Sequence, residues 1–113
     1  MASASLTTSS NSLEAKFSAL RGEKRYALIP YLTAGYPEPN ATQDLLRTLV
    51  RAGADIIELG VPFSDPVADG PTIQRASQKA LEHGVTLAWC LDQLREFRRA
   101  HETPVVIFSY LNP

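Results

Sequence analysis

Three stretches of the chain, residues 26–33, 55–61 and 105–110, are apolar without regular alternation. Runs of this kind predict strands covered on both faces, as in parallel sheets. Between them the apolar residues fall at helical spacing. Leu13, Phe17 and Leu20 predict a short amphipathic helix that Gly22 stops. Leu45, Leu46, Leu49 and Val50 make one stripe, with Asn40 as its expected cap and Gly53 as its end. Ile73, Ala76, Ala80 and Leu81 keep helical spacing up to Gly84, and Thr86 is placed to cap a further helix carrying Leu87, Leu91 and Leu94. Pro104 opens the third strand. Pro30 sits inside the first apolar run, where proline cannot donate to a ladder, so its nitrogen is expected to face away from a neighbour or to lie near a bulge.

Strand, helix, strand, helix, strand implies right-handed crossovers and a parallel sheet, which leaves a (β/α)8 barrel or a doubly wound α/β fold. The first strand leads the second by 28 positions (27 to 55) and the second leads the third by 49 (55 to 104). Eight units at the mean of those spacings need roughly 300 residues, near the usual size of the barrel. The 113 residues here are fewer than half of that. No Gly-x-Gly-x-x-Gly follows the first or second strand, so a dinucleotide site lacks its central support.

Composition narrows the picture. Eleven Lys+Arg against twelve Asp+Glu leave a formal charge of −1, which offers no broad basic surface to nucleic acid or anionic lipid. Arg95, Arg98 and Arg99 are interrupted by Glu96 and read as a solvated helix face. Cys90 is the only cysteine, so no internal disulfide forms, and no Cys/His spacing suggests a metal site. The longest apolar runs fall far short of the roughly 20 residues of a membrane-spanning helix. A cytoplasmic location is expected. Residues 2–12 are rich in Ser and Thr but contain no Arg, and read as a frayed tail rather than an import signal. The expected organisation is a disordered tail over residues 1–12 and part of a single barrel domain over 13–113.

One residue breaks the apolar pattern of the second strand. Period two puts Ile56, Glu58 and Gly60 on one face and Ile57, Leu59 and Val61 on the other, so Glu58 enters a packed layer. An ionised carboxylate there costs several kcal/mol unless it is paired, partly protonated or open to a cavity. Pairing with an Arg or Lys from elsewhere is the plain alternative. Position favours the cavity, because Glu58 is near the carboxyl end of a parallel strand, where both candidate folds hold their ligands. Asp65 and Asp69 lie four apart in the following loop, next to Pro66 and to Gly70-Pro71, and turn duty accounts for either one. The same loop can fold back over Glu58 and offer an acceptor to a ligand N–H. His83 and His101 fall near helix ends, and Trp89 and Phe97 suit helix packing.

The run Ile57-Glu58-Leu59-Gly60-Val61-Pro62-Phe63-Ser64-Asp65-Pro66-Val67-Ala68-Asp69-Gly70-Pro71 closely resembles the signature of the tryptophan synthase alpha subunit family. Residues 28–37 look like the first strand and loop of that family, and Tyr110-Leu111-Asn112-Pro113 like the end of its third strand. The resemblance covers the chain from about Leu13 onward and less than half of the family's usual length. It implies the N-terminal part of a (β/α)8 TIM barrel, preceded by a helix, that cleaves indole-3-glycerol phosphate by a retro-aldol route to indole and glyceraldehyde 3-phosphate. By resemblance Glu58 is the general acid/base at indole C3 and at the glycerol hydroxyl, and Asp69 accepts from the indole N–H. Their settings, one partly buried and one in a loop beside water, suit two separate roles. Tyr31, Phe108 and Tyr110 line the indole pocket by the same resemblance, with core packing as their plain alternative. The resemblance implies no metal or organic cofactor. It implies as partner a beta subunit that carries pyridoxal phosphate (PLP), with Pro62 and Asp65 at the interface.

The family's phosphate grip comes from later strands, so residues 1–113 alone are expected to lack turnover. A non-catalytic piece that docks on the beta subunit, and another phosphate-binding barrel enzyme, are the alternatives.

Overall fold

A computed structural model describes residues 3–64 and 69–110, with the backbone alone given for residues 3–11. A leading helix α1 (Ser3–Glu23) is followed by β1 (Tyr31–Thr33), α2 (Thr42–Arg51), β2 (Ile57–Gly60), α3 (Pro71–Glu82), α4 (Leu87–Arg98) and β3 (Val105–Phe108). The strands form one parallel sheet in the order β1-β2-β3. Tyr31, Glu58 and Val106 stand side by side, and Thr33, Gly60 and Phe108 make the next rung of the same face.

The other face carries the core. Ile57 and Leu59 are fully buried against Leu46, Ala80, Cys90 and Phe97, with Leu32, Val61 and Ile107 flanking them. The alternation expected for β2 therefore holds. Helices cover the Ile57/Leu59 side, while Val106 and Phe108 on the opposite side stay exposed.

The helix ends follow the sequence in part. Gly53 and Gly84 adopt the left-handed conformation at the ends of α2 and α3 (φ 103° and 81°), a state that costs glycine little. Helix α1 ends otherwise. Gly22 stays inside it, and Lys24 takes the left-handed turn (φ 55°), with Lys24 N–H donating to Arg21 O at 3.1 Å and Arg25 N–H to Leu20 O at 3.0 Å. The helical backbone also reaches back to Ser3, across the segment expected to be a frayed tail. No Gly or Pro interrupts residues 3–21, and extending a helix once nucleated is cheap.

Asn40 does not cap α2. It lies in a 3₁₀ turn, Pro39–Ala41, that leads directly into the helix, and no side-chain cap bond forms there. Fully buried Thr42 instead accepts from Gly35 N–H at 3.0 Å, tying the start of α2 to the loop after β1.

Thr86 does cap α4, its Oγ1 accepting from Trp89 N–H at 3.1 Å. Thr86→Ala is expected to cost about 1 kcal/mol in thermal or urea unfolding. The buried stripe of α4 is not the expected Leu87/Leu91/Leu94 row. Cys90 and Phe97, two turns apart, face the core, Leu94 is half-buried, and Leu87 and Leu91 are exposed. Helical spacing alone allowed either row, and packing beside α2 selects the one with Phe97.

Strand β1 is shorter than the apolar run 26–33. Pro30 precedes it, and its carbonyl accepts from Glu58 N–H at 2.9 Å, while Leu28 O accepts from Asp55 N–H at 2.9 Å. Asp55, only 3% exposed, anchors this end of the sheet. Its carboxylate accepts from Arg25 Nη1 and Nη2 at 3.1 and 3.0 Å and from Leu28 N–H at 2.8 Å, with Lys16 Nζ at 4.0 Å. The Arg25 fork and the Leu28 amide hold the carboxyl below its usual range.

Candidate active site

The open face of the sheet carries the residues singled out from the sequence. Period two in β2 turns Glu58 away from the helices, and the parallel register sets Tyr31 and Val106 beside it. Glu58 is half-buried. The lysines and arginines in ion pairs among the described residues hold Asp55, Glu23, Asp44, Glu82, Asp92 and Glu96, and none holds Glu58. Pairing with a cation, the plain alternative for Glu58, is not seen among the described residues.

Tyr31 starts in the Glu58 rung and leans toward the carboxyl ends of the strands. Its hydroxyl lies directly over Gly60, where a Cβ would come within 1.9 Å of the Tyr31 oxygen. Its ring meets Phe108 edge to face, with centroids 6.1 Å apart. Thr33, buried and two residues along the same face, donates from Oγ1 to the Tyr31 oxygen at 3.4 Å. Burial pushes the Tyr31 hydroxyl above the usual phenol range. The Thr33 bond works against that rise, and the charges of Asp69, Tyr110 and Glu58 add to it. All three thus act electrostatically on one hydroxyl.

Asp69 is half-buried just before α3. Gln74 Nε2 donates to its backbone carbonyl at 2.9 Å, and Gln74 N–H donates to Gly70 O at 3.0 Å, so the start of α3 fixes the loop end that carries Asp69. Tyr110 stacks on Phe63 with centroids 4.9 Å apart. Pro62 is buried, and Asp65 lies outside the described residues. The structure thus brings Tyr31, Glu58 and Phe108 together on one face, with Asp69 and Tyr110 near enough for their charges to act on Tyr31. Thr33 and Phe63 were not singled out from the sequence, although the spacing of Thr33 from Tyr31 on a common strand face was a usable signal.

Such an arrangement can move a proton at a half-buried carboxylate, accept a ligand N–H at a second one, and hold a flat apolar ring against an aromatic wall. His83 sits at the end of α3 and is exposed, and His101 stacks on Phe97 at 4.7 Å, so neither reaches the site. Arg95 and Arg99 pair along α4 with Asp92 and Glu96, as a solvated helix face does. No helix among the described residues is long and apolar enough to cross a membrane.

Known proteins match this chain closely. The family profile described as tryptophan synthase alpha chain covers residues 17–113. The tryptophan synthase alpha chain of Laribacter hongkongensis is 56% identical over 104 residues, covering 91% of this chain and 39% of its own length. That of Aromatoleum aromaticum is 58% identical over 102 residues, covering 89% and 38%. The crystal structure of the alpha subunit from Legionella pneumophila superposes with a TM-score of 0.88 at 45% identity, covering 90% of this chain and 39% of that one. The chain thus spans about two fifths of the length of these relatives, at their N-terminal end. Its sheet and helices are the first part of their (β/α)8 barrel. With identity above half over nine tenths of its residues, the chain belongs to the tryptophan synthase alpha chain family.

Proposed function

We propose that this chain supplies the acid/base end of a lyase that cleaves indole-3-glycerol phosphate to indole and glyceraldehyde 3-phosphate. The observation that carries the reading is Glu58, half-buried within β2 on the open face and held by no cation among the described residues. As general acid, Glu58 gives its proton to indole C3. Asp69 accepts from the indole N–H and stabilises the positive charge that spreads over the ring. Glu58, now ionised, takes the proton of the glycerol hydroxyl. The O–H electron pair becomes the aldehyde C=O, the C–C bond to indole breaks, and its pair restores the indole ring. Tyr31, Phe108 and Tyr110 flank the ring. The two carboxylates suffice for these steps, so the reading assigns this chain no metal or organic cofactor.

The same reading gives the chain a PLP-bearing beta subunit as partner, with Pro62 and Asp65 at the contact, and a cytoplasmic location. The test is a chain completed to the relatives' length, in which residues 1–113 replace the matching part of the Laribacter hongkongensis protein. It should release indole from indole-3-glycerol phosphate and co-purify with the beta subunit, whereas residues 1–113 alone should release none. A folded completed chain without lyase activity would sink the reading.

A further inference from the structure

We propose that the Tyr31 hydroxyl is a substrate-touching hydrogen-bond donor, aimed at the glycerol oxygen from which Glu58 takes its proton. This inference rests on the lyase reading and adds a residue to it.

Three features set the hydroxyl in place. Gly60 leaves it room that any larger residue would fill. The edge of the ring packs on Phe108 and limits its swing. Thr33, 6% exposed, donates to the phenol oxygen, so the phenolic proton is free to go elsewhere. Glu58 is the cross-strand neighbour of Tyr31, and the charges of Asp69, Tyr110 and Glu58 all act on the hydroxyl. No hydrogen bond joins Tyr31 to either carboxylate, although the charge of each acts on it.

A group lying between the Tyr31 hydroxyl and a carboxylate must accept from the first and donate to the second. A hydroxyl does both, and the indole N–H, a donor only, does not. In the proposed reaction the carbinol that donates to Glu58 is such a hydroxyl. As its O–H bond breaks and the pair moves into the C=O, negative charge grows on that oxygen, and a donor placed there stabilises the charge where it develops. Tyrosine suits the place because its ring completes the apolar wall while its tip stays polar. Thr33 touches no substrate in this scheme and acts only through Tyr31, as a positioning residue.

The test uses the completed chain. Tyr31→Phe keeps the ring and should lower kcat by roughly 10- to 100-fold with little change in KM. Thr33→Val should lower kcat several-fold next to Tyr31, and no further when combined with Tyr31→Phe. Thr33→Ser should restore the rate. Indole-3-propyl phosphate, an analogue with methylenes in place of both carbinols, the reacting one included, should bind the parent and the Tyr31→Phe chain equally. Unchanged kcat in Tyr31→Phe, additive losses with Thr33→Val, or weakened binding of the analogue would each overturn the inference. If Glu58→Gln keeps its activity, the lyase reading itself fails. If Glu58→Gln is inactive and Tyr31→Phe is normal, only the donor role fails.

Discussion

Glu58→Gln in the completed chain is expected to stop indole release almost entirely while leaving the fold intact. General acid/base groups contribute roughly 10²- to 10⁴-fold, and Glu58 acts twice in the proposed cycle, so the upper end of that range applies. The amide neither gives the proton to indole C3 nor takes the one from the glycerol hydroxyl. Stability should change little, since no ion pair among the described residues is broken and Glu58 lies off the Ile57/Leu59 core. Asp69→Asn should lose roughly 10²- to 10³-fold, because a neutral amide no longer stabilises the ring charge. Steady-state indole release, with circular dichroism and thermal unfolding of the same samples, checks both. Near-normal rates in the two variants would remove their assigned roles, and a collapsed melting curve in Glu58→Gln would make its carboxylate structural.

Asp55→Ala should have the opposite profile, a large loss of stability with the chemistry of the surviving folded molecules unchanged. Asp55 accepts three hydrogen bonds at the amino end of β2, two of them from one guanidinium, and it is buried. Losing such charge-assisted bonds and leaving the Leu28 amide unpaired is expected to cost about 2–4 kcal/mol. The network also sets a pH dependence. The folded-state pKa of Asp55 lies below its unfolded value, so its contribution is complete above the usual carboxylate range and fades as pH falls through the folded value. Urea midpoints measured from pH 7 down to pH 3 should fall more steeply for the parent than for Asp55→Ala. Parallel acid limbs in the two would contradict this account.

Most of the fold was legible because its signals were local. Apolar runs marked the three strands, left-handed glycines marked the ends of α2 and α3, and Thr86 capped α4. What was misread depended on long-range packing. The exposed row of α4 has the same period as its buried row, and only the neighbouring helix distinguishes Leu87 and Leu91 from Cys90 and Phe97. Asn40 is a good cap residue, but Pro39 set up a 3₁₀ turn in its place. Asp55 looked like an ordinary strand start, since nothing local reveals that Arg25, thirty positions away, closes on it. In the site, Glu58 stood out because a carboxylate broke an apolar strand. Thr33 and Gly60 did not stand out as supports of Tyr31, because small residues carry no chemical signature until a ring is seen to cross them.

The two-sidedness of β2 has a consequence for how such a protein changes over time. Ile57 and Leu59 answer to the helices, and Glu58 and Gly60 to the open face, yet they alternate along four residues. Replacements at Val106 or Phe108, exposed on the Glu58 side, can reshape that surface without disturbing the packing behind the sheet. Surface shape and foldedness are in this way open to separate selection, residue by residue, on a single short strand.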